Sequence, residues 1–146
     1  MARSRDISET SRAAIVVAVA TLLCFAPLCA HEFSWWDDWA NIHQNKLLNP
    51  PTWKSLGHYW THAEHGLYMP VTYTVWTGLA TIARVGSPDA SGISLNPWVF
   101  HTANVIVHVI SALLAFAILV RLLNRERSQG VWAACLGALV FALHPV

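Results

Sequence analysis

Charge is what this sequence has least of. Only 12% of its 146 residues are Asp, Glu, Lys or Arg, against 55% hydrophobic, and the formal net charge is +1 with the eight histidines neutral. No basic field is present to attract nucleic acid, and no acidic tail to bind cations. Cysteine is scarce too: three residues, an odd count without a C-x-x-C pair, which argues against a disulfide framework or a zinc knuckle. Cys24, Cys29 and Cys135 lie in apolar runs and read as small buried hydrophobes. Internal repeats and low-complexity tracts are missing, as are G-x-x-x-x-G-K, G-x-S-x-G and the dinucleotide-binding fingerprint.

What the chain has instead is apolar length. A mean hydropathy of +0.41 exceeds what a soluble domain of this size needs for one core. The expected class is all-α, a polytopic bundle of about three membrane spans. The run 13–30 (AAIVVAVATLLCFAPLCA) carries no charge. At about 1.5 Å per residue it covers roughly 27 Å, close to the ~30 Å of a hydrocarbon core. The rival is a cleaved signal peptide, with Arg3, Arg5 and Arg12 as its positive head, but Leu28 is large for a position two before a cleavage-site Ala. A second span is expected over 97–123. Asn96 offers an N-cap acceptor and Pro97 occupies the first helical position. The run from 131 to the end is a third span, incomplete here.

The segment 67–85 (LYMPVTYTVWTGLATIARV) is apolar enough to pass for a span, but its periodicity says otherwise. In a helix from Pro70, Val71, Val75, Leu79 and Ile82 share one face while Thr74, Thr77 and Thr81 lie opposite. The spacing predicts an interfacial helix over about 70–84. With that helix lying flat, Arg3, Arg5 and Arg12 fall on the same side as Arg121, Arg125 and Arg127, as the positive-inside rule requires. Residues 1–12 and 124–130 are then cytoplasmic, and 31–96 form one large external loop. An integral membrane protein results, in a bacterial inner membrane or the endoplasmic reticulum. Trp35, Trp36 and Trp39 fall where an aromatic belt meets the headgroups.

That loop opens with FSWWDDWANIHQN, which places Asp37 and Asp38 at the mouth of the first span. A carboxylate at such a boundary can act as a base on a bound hydroxyl. Adjacent helical residues diverge by about 100°, so one would be the base and the other a partner or cap. The competing reading is a helix N-terminus, where the dipole favours Asp. His58, His62 and His65 recur at i, i+4 and i+7, a tolerable zinc spacing if that stretch is one helix, although no H-E-x-x-H order accompanies them. His101, Asn104, His108 and Ser111 form a polar stripe along the second span. Polar groups there face protein or a cavity. Interhelical hydrogen bonding suits His108 and Ser111. His101 and Asn104, in the first turns, suit a site.

The order of these features is similar to the N-terminal region of the glycosyltransferase-C superfamily. The residues that carry the resemblance are WWDDW-NI-x-x-N (35–45), LYMPVTYT (67–74), LNPW-x-FH-x-x-N-x-x-x-H (95–108) and GALVFALHPV (137–146). The chain resembles most the membrane O-mannosyltransferase-like proteins that carry C-terminal tetratricopeptide repeats. The resemblance implies an enzyme that moves a sugar, mannose in the first instance, from a polyprenyl-phosphate lipid to a protein or glycan acceptor on the external or luminal face. It implies Asp37 as catalytic base with Asp38 as its partner, and Tyr68, His101, Asn104 and His144 as substrate-binding candidates. It also implies two membrane-surface helices, here about 38–48 and 70–84. No cofactor is required, although two carboxylates could hold a divalent cation. Two departures stand out: Met69 occupies a position where relatives carry an arginine, and the acidic residue and further spans that usually follow H-P-V lie beyond Val146. The chain is thus expected to be an N-terminal fragment that does not turn over alone. The alternative is a non-catalytic membrane subunit whose loop binds a partner.

Overall fold

The computed structural model of the chain describes residues 2–144 apart from 89, 91, 93 and 124–127, and the side chains of these except 2–8 and 128. Five helices account for most of it: α1 (Ala2–Phe25), α2 (Trp53–Tyr59), α3 (Pro70–Ile82), α4 (Pro97–Leu123) and α5 (Ser128–Leu143). A 3-10 segment, Ala26–Ala30, follows α1, and a π-helical turn spans Trp39–His43. Among the described residues there is no strand, only isolated bridges. Two compact units result, Met1–Leu28 with Thr102–Val146, and Cys29–His101.

In the first unit α1 packs on α5. Its core is built largely of small residues, Ala13, Ala112, Ala134, Cys135, Ala138 and Ala142, around Val17, Phe116 and Val131. Small side chains let helix backbones approach closely. At Gly137 the approach is so close that a Cβ would stand 2.9 Å from a terminal methyl of Leu119. The outward faces are the apolar ones. Ile15, Leu23, Ile106, Ile118, Leu136 and Val140 are all exposed. Two helical stretches, 9–30 and 97–123, are long and apolar enough to cross a membrane, and only 17% of each 18-residue apolar window is buried. The core helix of a soluble protein is mostly buried, and these two are not; such apolar exposed faces are those of candidate membrane spans. α5, at 16 residues, is short for a span. Cys24 departs from the sequence expectation: it is exposed, and only Cys135 of the three is buried.

The second unit buries Phe33, Ile42, Leu48, Tyr59, Tyr73, Ala80, Ala83, Leu95 and Phe100 together. α2 starts at a capping box. The Thr52 hydroxyl accepts from the Ser55 amide at 3.0 Å, and the Ser55 hydroxyl accepts from the Thr52 amide at 2.8 Å. α3 starts at Pro70, whose missing N–H costs nothing in the first turn, and turns Tyr73, Thr77 and Ala80 inward. Its apolar stripe points the other way, with Val71 66% and Ile82 71% exposed; Leu79 alone of the expected four packs toward the core. A helix on a water-soluble domain would bury that stripe. At the start of α4, the Asn96 side chain accepts from the Trp98 amide at 3.0 Å, the cap the sequence called for.

Two sequence expectations are met only in part or not at all in this unit. The helix expected over 38–48 is present over 37–43, its last five residues as a π turn, and gives way to tighter turns where the Asn45 side-chain oxygen accepts from the Leu47 amide. The three-histidine face does not form either. α2 ends at Tyr59, and His65 and Gly66 have φ of 48° and 79°, so the chain reverses between the second histidine and the third.

Candidate functional site

The turn carrying the two aspartates is clasped from both ends. The Trp39 amide donates to the Ser34 carbonyl at 3.0 Å, and the Ser34 amide donates to Asp38 Oδ2 at 3.2 Å. The Gln44 amide then reaches back to the Trp39 carbonyl at 2.8 Å, the i+5 bond of a π turn. Asp38 is therefore tied back to the segment that precedes the turn, and its side chain caps none of the turn's own amides. Asp37 is exposed, and its carboxylate makes no hydrogen bond among the described residues. The two carboxylates have separate jobs, as their divergence on a helical turn requires.

Asn41 fixes the turn from below. Its amide nitrogen donates to the Asp37 carbonyl at 3.0 Å, and its side-chain oxygen accepts from the Tyr73 hydroxyl at 2.7 Å. Tyr73 stacks on Tyr59 with centroids 4.3 Å apart and meets Trp76 edge-on. Burial pushes the Tyr73 hydroxyl above its ordinary pKa, reinforced by the nearby Glu64 charge. The same cause, burial first, raises Tyr59 further; the Asn45 side chain works against it, and Glu64 and Tyr73 add to it. Asn45 lies within reach of the Tyr59 hydroxyl, yet that hydroxyl forms no hydrogen bond of ordinary geometry. Asn41 and Tyr73 were not singled out from the sequence. Both lie inside quoted motifs, WWDDW-NI-x-x-N and LYMPVTYT, but nothing in either string says that they meet across 32 residues.

Of the substrate-binding candidates, His101 lies in this unit, half-buried, with Nε2 3.3 Å from the Glu32 carbonyl and its ring tilted against Phe33. It thus holds the strand of chain that leads into the Asp37 turn. Tyr68 is exposed and donates its hydroxyl to the Trp60 carbonyl at 3.0 Å, closing the 60–68 loop. Asn104 and His144, both exposed, belong to the other compact unit. In that unit His108 lies 2.9 Å from the Ala142 carbonyl of α5, the interhelical bond expected of it, and meets Phe25 edge-on. Ser111 instead donates to Val107 of its own helix. Trp39, expected to be a headgroup anchor, has both ring faces covered, by Trp35 and by His43.

Histidines 58 and 62 stack face to face at 4.3 Å, and His58 Nε2 lies 2.7 Å from Glu64 Oε1. Among the described residues no group of three or more His, Cys, Asp or Glu side chains could hold a metal ion. Between α2 and α3 runs a groove of about 320 Å³ lined by Trp53, Leu56, Thr74, Thr77, Gly78 and Thr81. The three threonines donate their hydroxyls into their own helix, so the groove is apolar despite them. No protein-family model, curated protein or solved structure matches the chain.

Proposed function

We propose that this chain is part of a membrane glycosyltransferase that moves a hexose, mannose in the first instance, from a polyprenyl-phosphate donor to an acceptor hydroxyl at the external or luminal membrane surface. The observation that carries the reading is the difference within the aspartate pair: Asp38 accepts from the Ser34 amide, while Asp37 stands exposed with no hydrogen bond to its carboxylate among the described residues. Asp37 takes the proton of the acceptor hydroxyl, and that oxygen attacks the anomeric carbon. The bond from the anomeric carbon to the phosphate oxygen breaks, its electron pair leaves with the polyprenyl phosphate, and the anomeric configuration inverts. A lipid-linked donor requires a site beside the bilayer. Two features support that placement. The aspartate unit joins a span-length helix at each end, and the exposed stripe of α3 and the apolar groove beside it offer surface to lipid chains.

The test is transfer itself. Membranes of cells expressing the protein from its complete reading frame are incubated with radiolabelled polyprenyl-phosphate mannose and a serine- and threonine-rich acceptor peptide. Labelled acceptor above the level of vector-only membranes is expected. If neither this donor nor its glucose counterpart yields label, the reading is wrong, and a partner-binding membrane subunit takes its place.

A further inference from the structure

The ring of Trp35 is exposed and yet held in place. It stacks on Trp39 at 4.1 Å and 19°, and Trp39 stacks on His43 at 4.1 Å and 17°. His43 is buried, meets Phe33 edge-on at 5.8 Å, and Phe33 meets Phe100 at 5.6 Å. A ladder of three planes thus rises from the core of the unit and ends at Trp35, 80% exposed. Trp35 is left with one covered face and one open face.

We propose that the open face of Trp35 is a stacking platform for a pyranose ring, with Asp37 and Asp38 beside it as acceptors for ring hydroxyls. The proposal rests on the transferase reading and names where that site takes hold of a sugar. An indole face is the negative side of a quadrupole and attracts positively polarised groups. A pyranose presents such a face as a patch of axial C–H bonds, ringed by hydroxyls that need acceptors. Acceptors for such hydroxyls lie two and three residues along the chain: the Asp37 carboxylate makes no hydrogen bond among the described residues, and Asp38 is engaged there through Oδ2 alone. A quaternary ammonium would also be drawn to a π face, but its recognition uses a cage of several faces, and this ladder offers a single flat one. Insertion of Trp35 into hydrocarbon is opposed by the two carboxylates of the same turn, which are costly to bring there.

The chain is reconstituted in nanodiscs of phosphatidylglycerol and phosphatidylethanolamine, and saturation transfer to methyl α-mannopyranoside and methyl α-glucopyranoside is recorded by NMR, with phosphocholine as a comparison. Saturation should reach the ring C–H protons of at least one glycoside. It should fall threefold or more in Trp35→Leu, keep at least half its strength in Trp35→Phe, and be unchanged in Trp36→Leu. No glycoside signal, an equal signal in Trp35→Leu, or a Trp35-dependent signal from phosphocholine alone would overturn the proposal. Asp37→Asn separates this from the catalytic reading. If that variant of the complete protein transfers sugar normally while Trp35→Leu abolishes saturation transfer, the platform stands and the base is wrong; the opposite pair of results removes the platform alone.

Discussion

Asn41 joins two parts of the chain that the sequence shows only as separate motifs. Its side chain holds the Asp37 carbonyl on one side and the Tyr73 hydroxyl on the other, so the position of the free carboxylate depends on a residue of α3. Tyr73→Phe removes that link, at a cost of about 1 kcal/mol for a neutral hydrogen bond. Amides 37–45 should then exchange about fivefold faster by mass spectrometry, while α5, in the other unit, keeps its protection. Equal exchange at 37–45 would mean that Tyr73 does not position the turn. The aspartate pair was legible in the sequence because two charges beside three tryptophans are conspicuous. Tyr73 was not, because a tyrosine in an apolar helix looks like core until its hydroxyl partner is seen. Tyr59, buried with no hydrogen bond to its hydroxyl, gives a pH signature. Its pKa and that of Tyr73 are raised in the folded state, so above the ordinary value of 10.0 the unfolded chain loses these protons first and stability falls as pH rises. Thermal melts in detergent should be flat with respect to these groups from neutral pH to about 10 and decline above it. Tyr59→Phe should flatten the decline, since it removes the more strongly shifted of the two hydroxyls.

At the scale of elements, α3 shows both how far periodicity reads and where it stops. Its start at Pro70 and its stripe of Val71, Val75 and Ile82 were legible, and the stripe points outward. A nitroxide at Val75→Cys, in a background with the three native cysteines replaced, should collide more with oxygen than with a water-soluble nickel chelate in liposomes. The reverse preference would put the stripe in water and remove the surface helix. The start of α4 was legible from Asn96-Pro97 for the same reason that caps usually are: the chemistry is local. The stretch 38–48 and the histidine run 58–65 were misread because their ends are set by contacts outside the window. The Asn45 side-chain oxygen accepts from the Leu47 amide, and Glu64 folds back to His58 and pairs its backbone with Leu67 across Gly66. Gly66 was the available signal for that reversal, and a helical reading across it needed more weight on the left-handed conformation that glycine permits.

At the scale of the molecule, two span-length helices flank a compact unit of some seventy residues that carries the exposed carboxylate. The two span-length helices followed from apolar length alone, while the third expected span is a helix too short to cross; the separate compactness of 29–101 was not legible, because its core is assembled from residues spread between Phe33 and Phe100. The account makes Asp37 the base and Asp38 the acceptor of the Ser34 amide, and these differ in what an amide can replace. Asparagine at position 38 still offers an oxygen to the Ser34 amide; asparagine at position 37 cannot accept a proton. The measurement that bears on this most directly is the transfer rate of the complete protein in proteoliposomes with saturating polyprenyl-phosphate mannose, for Asp37→Asn and Asp38→Asn side by side. The account predicts a loss of about 100-fold or more for the first, within the range a general base supplies, and less than about tenfold for the second. Unchanged transfer by Asp37→Asn, or the larger loss at Asp38, would contradict it.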